Sequence, residues 1–248
     1  MGQDDTLNDD GRVPALLDPP WGIVDGVFVV VAFLALQAAL MLPVALIVRR
    51  AVAPMVAAVL GELLILVLAV TMVHFRSGRA RSVPRLLGLR RPREDWLGPA
   101  ARVVFAGVGG FVGARMAMTA ALEFVGLDWR QLPGQEISEM VRRLDEFGAL
   151  ALAVLLAVVV APVAEEVIFR SVLYLPLRRR LGAVSAALIV AVVFSAGHAY
   201  LLGAAQLFVL SVVFCALFET TGSLWAPIVA HAVFNAVNIL LLRLLPFA

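Results

Sequence analysis

Glu165 and Glu166 are adjacent acids inside an apolar stretch that runs from Leu150 to Leu177. A charged side chain at bilayer depth costs about 2.5–3.5 kcal/mol on insertion scales, so ionisable groups there usually face a protein interior or water and carry a function. Arg170 follows Glu166 by one helical turn, the spacing at which a guanidinium and a carboxylate meet on one face. Consecutive helical residues point about 100° apart, so one glutamate can be neutralised by Arg170 while the other faces a cavity. Two further groups lie on later apolar segments: His198 in FSAGHAY, one turn after Phe194, and His231 in HAVFN, one turn before Asn235. Burial among apolar neighbours disfavours the charged form of a carboxylate, which suits a proton carrier working near neutral pH. Imidazole can orient water, bind a metal or donate to a developing anion, and a carboxamide N–H can do the last. Base, water and oxyanion donors are the parts that peptide-bond hydrolysis needs.

The elements that must position these groups are hydrophobic helices. Of the 248 residues, 62% are hydrophobic and 15% charged, a balance that belongs in a bilayer. Runs of the roughly 20 residues needed to cross it fall at 24–48, 53–75, 100–125, 149–176, 183–201, 203–220 and 223–245. No run alternates as the strand of a membrane barrel would, so the expected fold is all-α, a polytopic transmembrane bundle of about seven spans within a range of six to eight. With ~1.5 Å of rise per residue, Glu165 lies about 20 Å from the boundary near Arg178 and His198 about 24 Å from that near Gly182. By the same rise, His231 and Asn235 lie about 12 and 18 Å from the boundary near Ser223. All four reach mid-membrane depth. Residues 1–22 are expected to be a mobile tail and 23–248 a single transmembrane domain with its motif core at 150–240. Residues 4–10 are acidic where an export signal is basic, so the first helix is expected to stay in place.

Every basic residue is arginine, and seven (Arg76, Arg79, Arg81, Arg85, Arg90, Arg91 and Arg93) fall between the second and third runs. The positive-inside bias places that loop, Arg178–Arg180 and the N-terminus in the cytoplasm. The net charge of +2 then reflects topology and gives no support to a nucleic-acid partner. Cys215, the lone cysteine, reads as a small core residue. Ile137, Met140, Val141, Leu144 and Phe147 recur at helical spacing among charged residues, which predicts an amphipathic helix resting on the interface. Glu62 and Arg115 come out at similar depth and are expected to neutralise each other. His74, Glu123 and Glu219 sit near helix ends, where snorkelling satisfies them.

There is no HExxH to mark a soluble-type zinc protease helix and no GxSxG nucleophile. Three readings remain open from the residues: a hydrolase, a proton-coupled transporter, and a catalytically silent immunity or scaffold protein that uses the polar groups as ties between helices. The ordered set EExxxR, FxxxH and HxxxN, together with the stretch GSLWAPIVAHAVFN, resembles the CPBP intramembrane protease family, which includes type II CAAX prenyl endopeptidases and bacteriocin-processing proteins. The resemblance covers about residues 150–240. It implies an intramembrane endopeptidase in which Glu165 activates water, Glu166 is its paired acid, Arg170 and Phe194 support that turn, His198 positions the water, and His231 with Asn235 stabilises the oxyanion. It implies either no cofactor or a zinc ion held by Glu165, His198 and His231. The partners it implies are the lipid bilayer and a peptide or protein substrate, prenylated or not, at a bacterial or archaeal plasma membrane.

Overall fold

The computed structural model describes residues 19–48, 52–78, 82–129 and 147–244. Residues 1–18 of the expected tail and the amphipathic segment expected from Ile137 lie outside the described residues, apart from Phe147, which opens a helix. All regular structure among the described residues is helical. The elements are α1 (Ile23–Ile47), α2 (Ala53–Ser77), the short α3 (Val83–Leu86), α4 (Leu97–Phe124), α5 (Phe147–Leu181), α6 (Ala183–Gly197), α7 (Ala204–Thr221) and α8 (Trp225–Leu244). Six of them are long and apolar enough to cross a membrane: α1, α2, α4, α5, the stretch Leu201–Thr221 that contains α7, and α8. Val24, Ile47, Phe105 and Phe124 are each more than 80% exposed, an outer surface fit for lipid rather than water. The chain is an integral membrane protein.

The expected run 183–201 is the one that falls short. Helix α6 has 15 residues, about 22 Å of rise against a hydrocarbon core of about 30 Å. It stops because Ala199 takes a left-handed backbone, φ +47°, so the helix ends at Gly197 and leaves His198 on its C-terminal cap. Phe194 in that last turn is buried, while Ala196 and Gly197 are exposed and His198 is half-buried.

Helix α5 is the axis of the molecule, and it is not wound uniformly. Leu156–Val160 and Val167–Tyr174 are π-helical, and Pro162 and Pro176 interrupt it. Pro176 has no N–H to offer the carbonyl of Val172 one turn back. The indole Nε1 of Trp21 donates to that carbonyl at 3.1 Å, and Trp21 is 2% exposed. The packed chain therefore starts before Ile23, inside the interval expected to be tail. Helix α1 rests on the same stretch through Gly26, where a β-carbon would come to 2.8 Å of the Val172 carbonyl oxygen. The main core joins Val29 and Phe33 of α1, Ile65 and Val73 of α2, Ile168 and Val172 of α5, Val190 and Phe194 of α6, and Cys215 and Phe218 of α7. Cys215 is core, as its apolar surroundings suggested.

One end of the bundle is tied by charge. Arg76 of α2 donates to Asp25 of α1 at 2.6 Å, Arg179 donates to the Pro19 carbonyl at 3.3 Å, and Arg90 donates to the Gly222 carbonyl at 2.8 Å. Glu219 is more than a snorkelling end group: it accepts from Tyr174 Oη at 2.6 Å and from the Arg178 guanidinium. The basic clusters after α2 and within the end of α5 therefore share one face.

Glu62 and Arg115 do not pair. Arg115 lies over the ring of Trp129, 5.3 Å from its centroid, while Glu62 accepts from Gln37 Nε2 at 3.3 Å. Equal depth failed as a guide because α2 packs on α1 and α5, whereas α4 packs on α7.

Two outcomes follow for the purified protein in detergent. Trp21→Phe, which strands the Val172 carbonyl, should lower unfolding stability by about 1–3 kcal/mol, read from thermal or denaturant melts. The double variant Glu62→Arg with Arg115→Glu should melt no higher than Glu62→Arg alone. A return to the wild-type melt would reinstate the pair.

Candidate functional site

The turn that carries Glu165 and Glu166 lies between the two π-wound stretches of α5, and the two acids go opposite ways. Glu166 is fully buried and forms the centre of a polar tie. Arg170, also fully buried, donates from Nη1 to Glu166 Oε1 at 3.1 Å. Its Nε approaches Oε2 at 3.0 Å, an ion-pair contact rather than an aligned hydrogen bond. Arg170 Nη2 reaches Ser211 Oγ of α7 at 3.0 Å, and its guanidinium lies 4.9 Å from the ring centre of Phe194 and 5.1 Å from that of Phe214. From α8, His231 Nδ1 donates to Glu166 Oε1 at 2.9 Å, and its ring stacks on Phe214 with centroids 5.0 Å apart. Glu166 thus joins α5 to α8 directly and to α7 through Arg170. Phe194 is the aromatic wall between this tie and His198, whose ring centroid is 4.5 Å away.

Glu165 points elsewhere. It is 8% exposed, its Oε2 has no partner among the described residues, and it lines a cavity of about 480 Å³ together with His198. That volume is in the range of small-ligand and active-site pockets. The walls are Phe33, Leu34 and Met41 of α1, Met55 and Ala58 of α2, Leu156 and Phe169 of α5, and Phe194 of α6, with Gln37 and Glu62 as the other polar lining groups. His198 sits where α6 stops, and its Nδ1 is 2.8 Å from the carbonyl oxygen of Phe194. A carbonyl only accepts, so Nδ1 carries the proton and, in the neutral ring, Nε2 is left as an acceptor. The helix end supplies that carbonyl, since the last C=O groups of a helix have no N–H partner within it.

The structure therefore brings Glu165 and His198 to one cavity and gathers Glu166, Arg170 and His231 in the tie behind it. Asn235, one turn beyond His231, donates from Nδ2 to the Ala157 carbonyl of α5 at 2.7 Å. Neither His231 nor Asn235 lines the cavity. Glu165, His198 and His231 do not meet in one group: among the described residues no three His, Cys, Asp or Glu side chains come together in a metal-binding cluster. Glu62 and Gln37 are lining residues that the sequence reading did not assign to the site. Their signal was a polar residue in each of the first two apolar runs, but nothing in the sequence aimed them at Glu165. Ser211 and Phe214, which complete the surroundings of Arg170 and His231, carry no such signal in the apolar text of α7.

Comparison with known proteins falls on the same helices. Residues 147–237 match the family model described as type II CAAX prenyl endopeptidase Rce1-like. The Bacillus subtilis protein named "Putative membrane peptidase YdiL" is 30% identical over 102 residues, 41% of this chain and 42% of that protein, so the chain spans less than half the length of the curated relative it matches. No solved structure matches the chain significantly. Through the helices that carry EExxxR, FxxxH and HxxxN, the chain is similar to type II CAAX prenyl endopeptidases of the Rce1-like kind.

Proposed function

We propose that the cavity between α1, α2, α5 and α6 is the active site of an intramembrane endopeptidase, with Glu165 as general base. The observation that carries this reading is the pairing of an unpartnered Glu165 carboxyl oxygen with His198 in one cavity, the histidine held in a single tautomer by the Phe194 carbonyl. A water between the two donates one hydrogen to Glu165 and the other to His198 Nε2. Glu165 takes the proton as the water oxygen bonds to the substrate carbonyl carbon. The tetrahedral species then expels the amine as Glu165 returns the proton to its nitrogen, so base and acid are the same carboxyl at successive steps. The tie of Glu166, Arg170 and His231 keeps its charges away from this chemistry and fixes the turn from which Glu165 projects. Largely apolar walls exclude bulk water and accept the side chains of a membrane-embedded peptide; Gln37 and Glu62 offer partners to a backbone that has left its helix, as hydrolysis requires.

The substrate class is a peptide or protein with a bond near the membrane, and the family resemblance supports a prenylated C-terminal segment as the first to try. The silent scaffold and the proton-coupled transporter make the opposite forecast for the same assay. Full-length protein in detergent is mixed with quenched-fluorescent peptides that join a hydrophobic helix to a short polar tail, with and without a prenyl group. Wild type should cleave. Glu165→Ala should lose at least 10²–10⁴-fold, the usual worth of a general base, with an unchanged melt, and His198→Ala should lose a comparable factor. Cleavage that persists in Glu165→Ala would remove the mechanism, and inhibition by a chelator reversed by zinc would replace it with a metal-dependent one.

A further inference from the structure

The bond from Asn235 Nδ2 to the Ala157 carbonyl, 2.7 Å long, joins residues 78 apart in the chain. The winding of α5 explains why that carbonyl is available. Leu156–Val160 is π-helical, so each N–H reaches back five residues instead of four. The Ala161 N–H accordingly bonds the Leu156 carbonyl, where α winding would have given it to Ala157. In the π register the donor for Ala157 is the N–H of residue 162. Residue 162 is proline, which has none. Winding and proline together leave the Ala157 carbonyl without a backbone donor, at a depth where water does not replace one and an unpaired carbonyl is costly. The Asn235 carboxamide fills the place. Further along α5, near Pro176, the Val172 carbonyl also takes a side-chain donor, the Trp21 indole.

Asn235 does not act alone. His231, one turn earlier on α8, donates to Glu166 at 2.9 Å. Helix α8 therefore grips α5 at Ala157, before Pro162, and at Glu166, after it. Glu165 lies inside that interval. A helix broken by a proline and a change of winding is free to rotate about the break, and two fixed points across it remove that freedom.

We propose that Asn235 is a positioning residue that works through the Ala157 carbonyl: its carboxamide replaces the N–H that Pro162 lacks and so holds Glu165 turned toward the cavity. This assigns Asn235 a task other than donating to the reacting oxyanion. Its consequence for cleavage rests on the endopeptidase reading; its consequence for the backbone does not.

The test is a double-mutant cycle on the full-length chain in detergent: Asn235→Ala, Pro162→Ala and the pair, each followed by thermal melting, by hydrogen exchange of peptides spanning residues 156–166, and by cleavage of the quenched-fluorescent peptide well below every Tm. Asn235→Ala should lower Tm, speed exchange in that segment and slow kcat on the order of tenfold to a hundredfold, the scale of an ångström of misplacement. In the Pro162→Ala background residue 162 regains its N–H, so adding Asn235→Ala should cost much less in all three readouts. A wild-type melt and wild-type exchange in Asn235→Ala, with cleavage lost, would overturn the proposal in favour of direct action on the reacting atoms. Equal losses with and without Pro162 would overturn it too. Should Pro162→Ala fail to fold, melting and exchange of Asn235→Ala decide alone. Should wild type cleave nothing, the endopeptidase reading falls, and the coupling in melting and exchange still tests Asn235.

Discussion

The structure depends on one buried carboxylate. Glu166, with no exposure, is held by Arg170 from its own helix and by His231 from α8, while Arg170 extends to Ser211 on α7. Removing either partner of such a pair leaves an uncompensated charge in a low-dielectric interior, which costs far more than the pair contributes when complete. The aromatic faces of Phe194 and Phe214 around the guanidinium add attraction to the cation and keep water out. Three helices are therefore committed to one relative placement by a contact that tolerates little slippage. Because Glu165 is the neighbouring residue, its direction is set by the same contact, about 100° around the helix and into the cavity.

The second constraint is the interrupted winding of α5. A uniform α-helix satisfies every backbone group by itself, which is why lipid favours it. This one departs from that pattern at Pro162 and Pro176 and in two π-wound stretches, and side chains from elsewhere donate to carbonyls near the breaks. Trp21 answers one and Asn235 the other. The breaks bracket the acidic turn, as π insertions often do at functional sites, and they make the neighbouring segments part of the turn's geometry. The residues just before α1, which a reading by polarity and proline content assigns to a tail, become structural through Trp21.

The cavity draws its walls from two sources. Glu165, Phe169, Phe194 and His198 come from the part of the chain that matches the family model; Phe33, Gln37, Met55 and Glu62 come from α1 and α2, before it. The proposed reacting groups, Glu165 and His198, thus come from one part of the sequence, and Gln37, Glu62 and much of the apolar wall from another. Variation in α1 and α2 changes the shape and polarity of the cavity while leaving the acid, its tie and the histidine unaltered.

Much of this was legible before any coordinates. An apolar run of bilayer length has few alternatives to a helix, because backbone groups must be satisfied within the segment, so the all-helical membrane bundle followed from hydropathy. The i, i+4 spacing of Glu166 and Arg170 decided their pairing, since a helix fixes which side chains share a face. The acids and histidines stood out because burying them costs so much. Lateral relations were beyond the sequence. Depth along a helix is a local property, set by rise per residue, whereas the facing of one helix to another depends on packing among all of them. Hence Glu62 met Gln37 and the cavity rather than Arg115, and His231 met Glu166 rather than the space in front of Glu165. The early end of α6 rests on one left-handed alanine, and the π register of α5 on bonds that only the folded bundle makes complete.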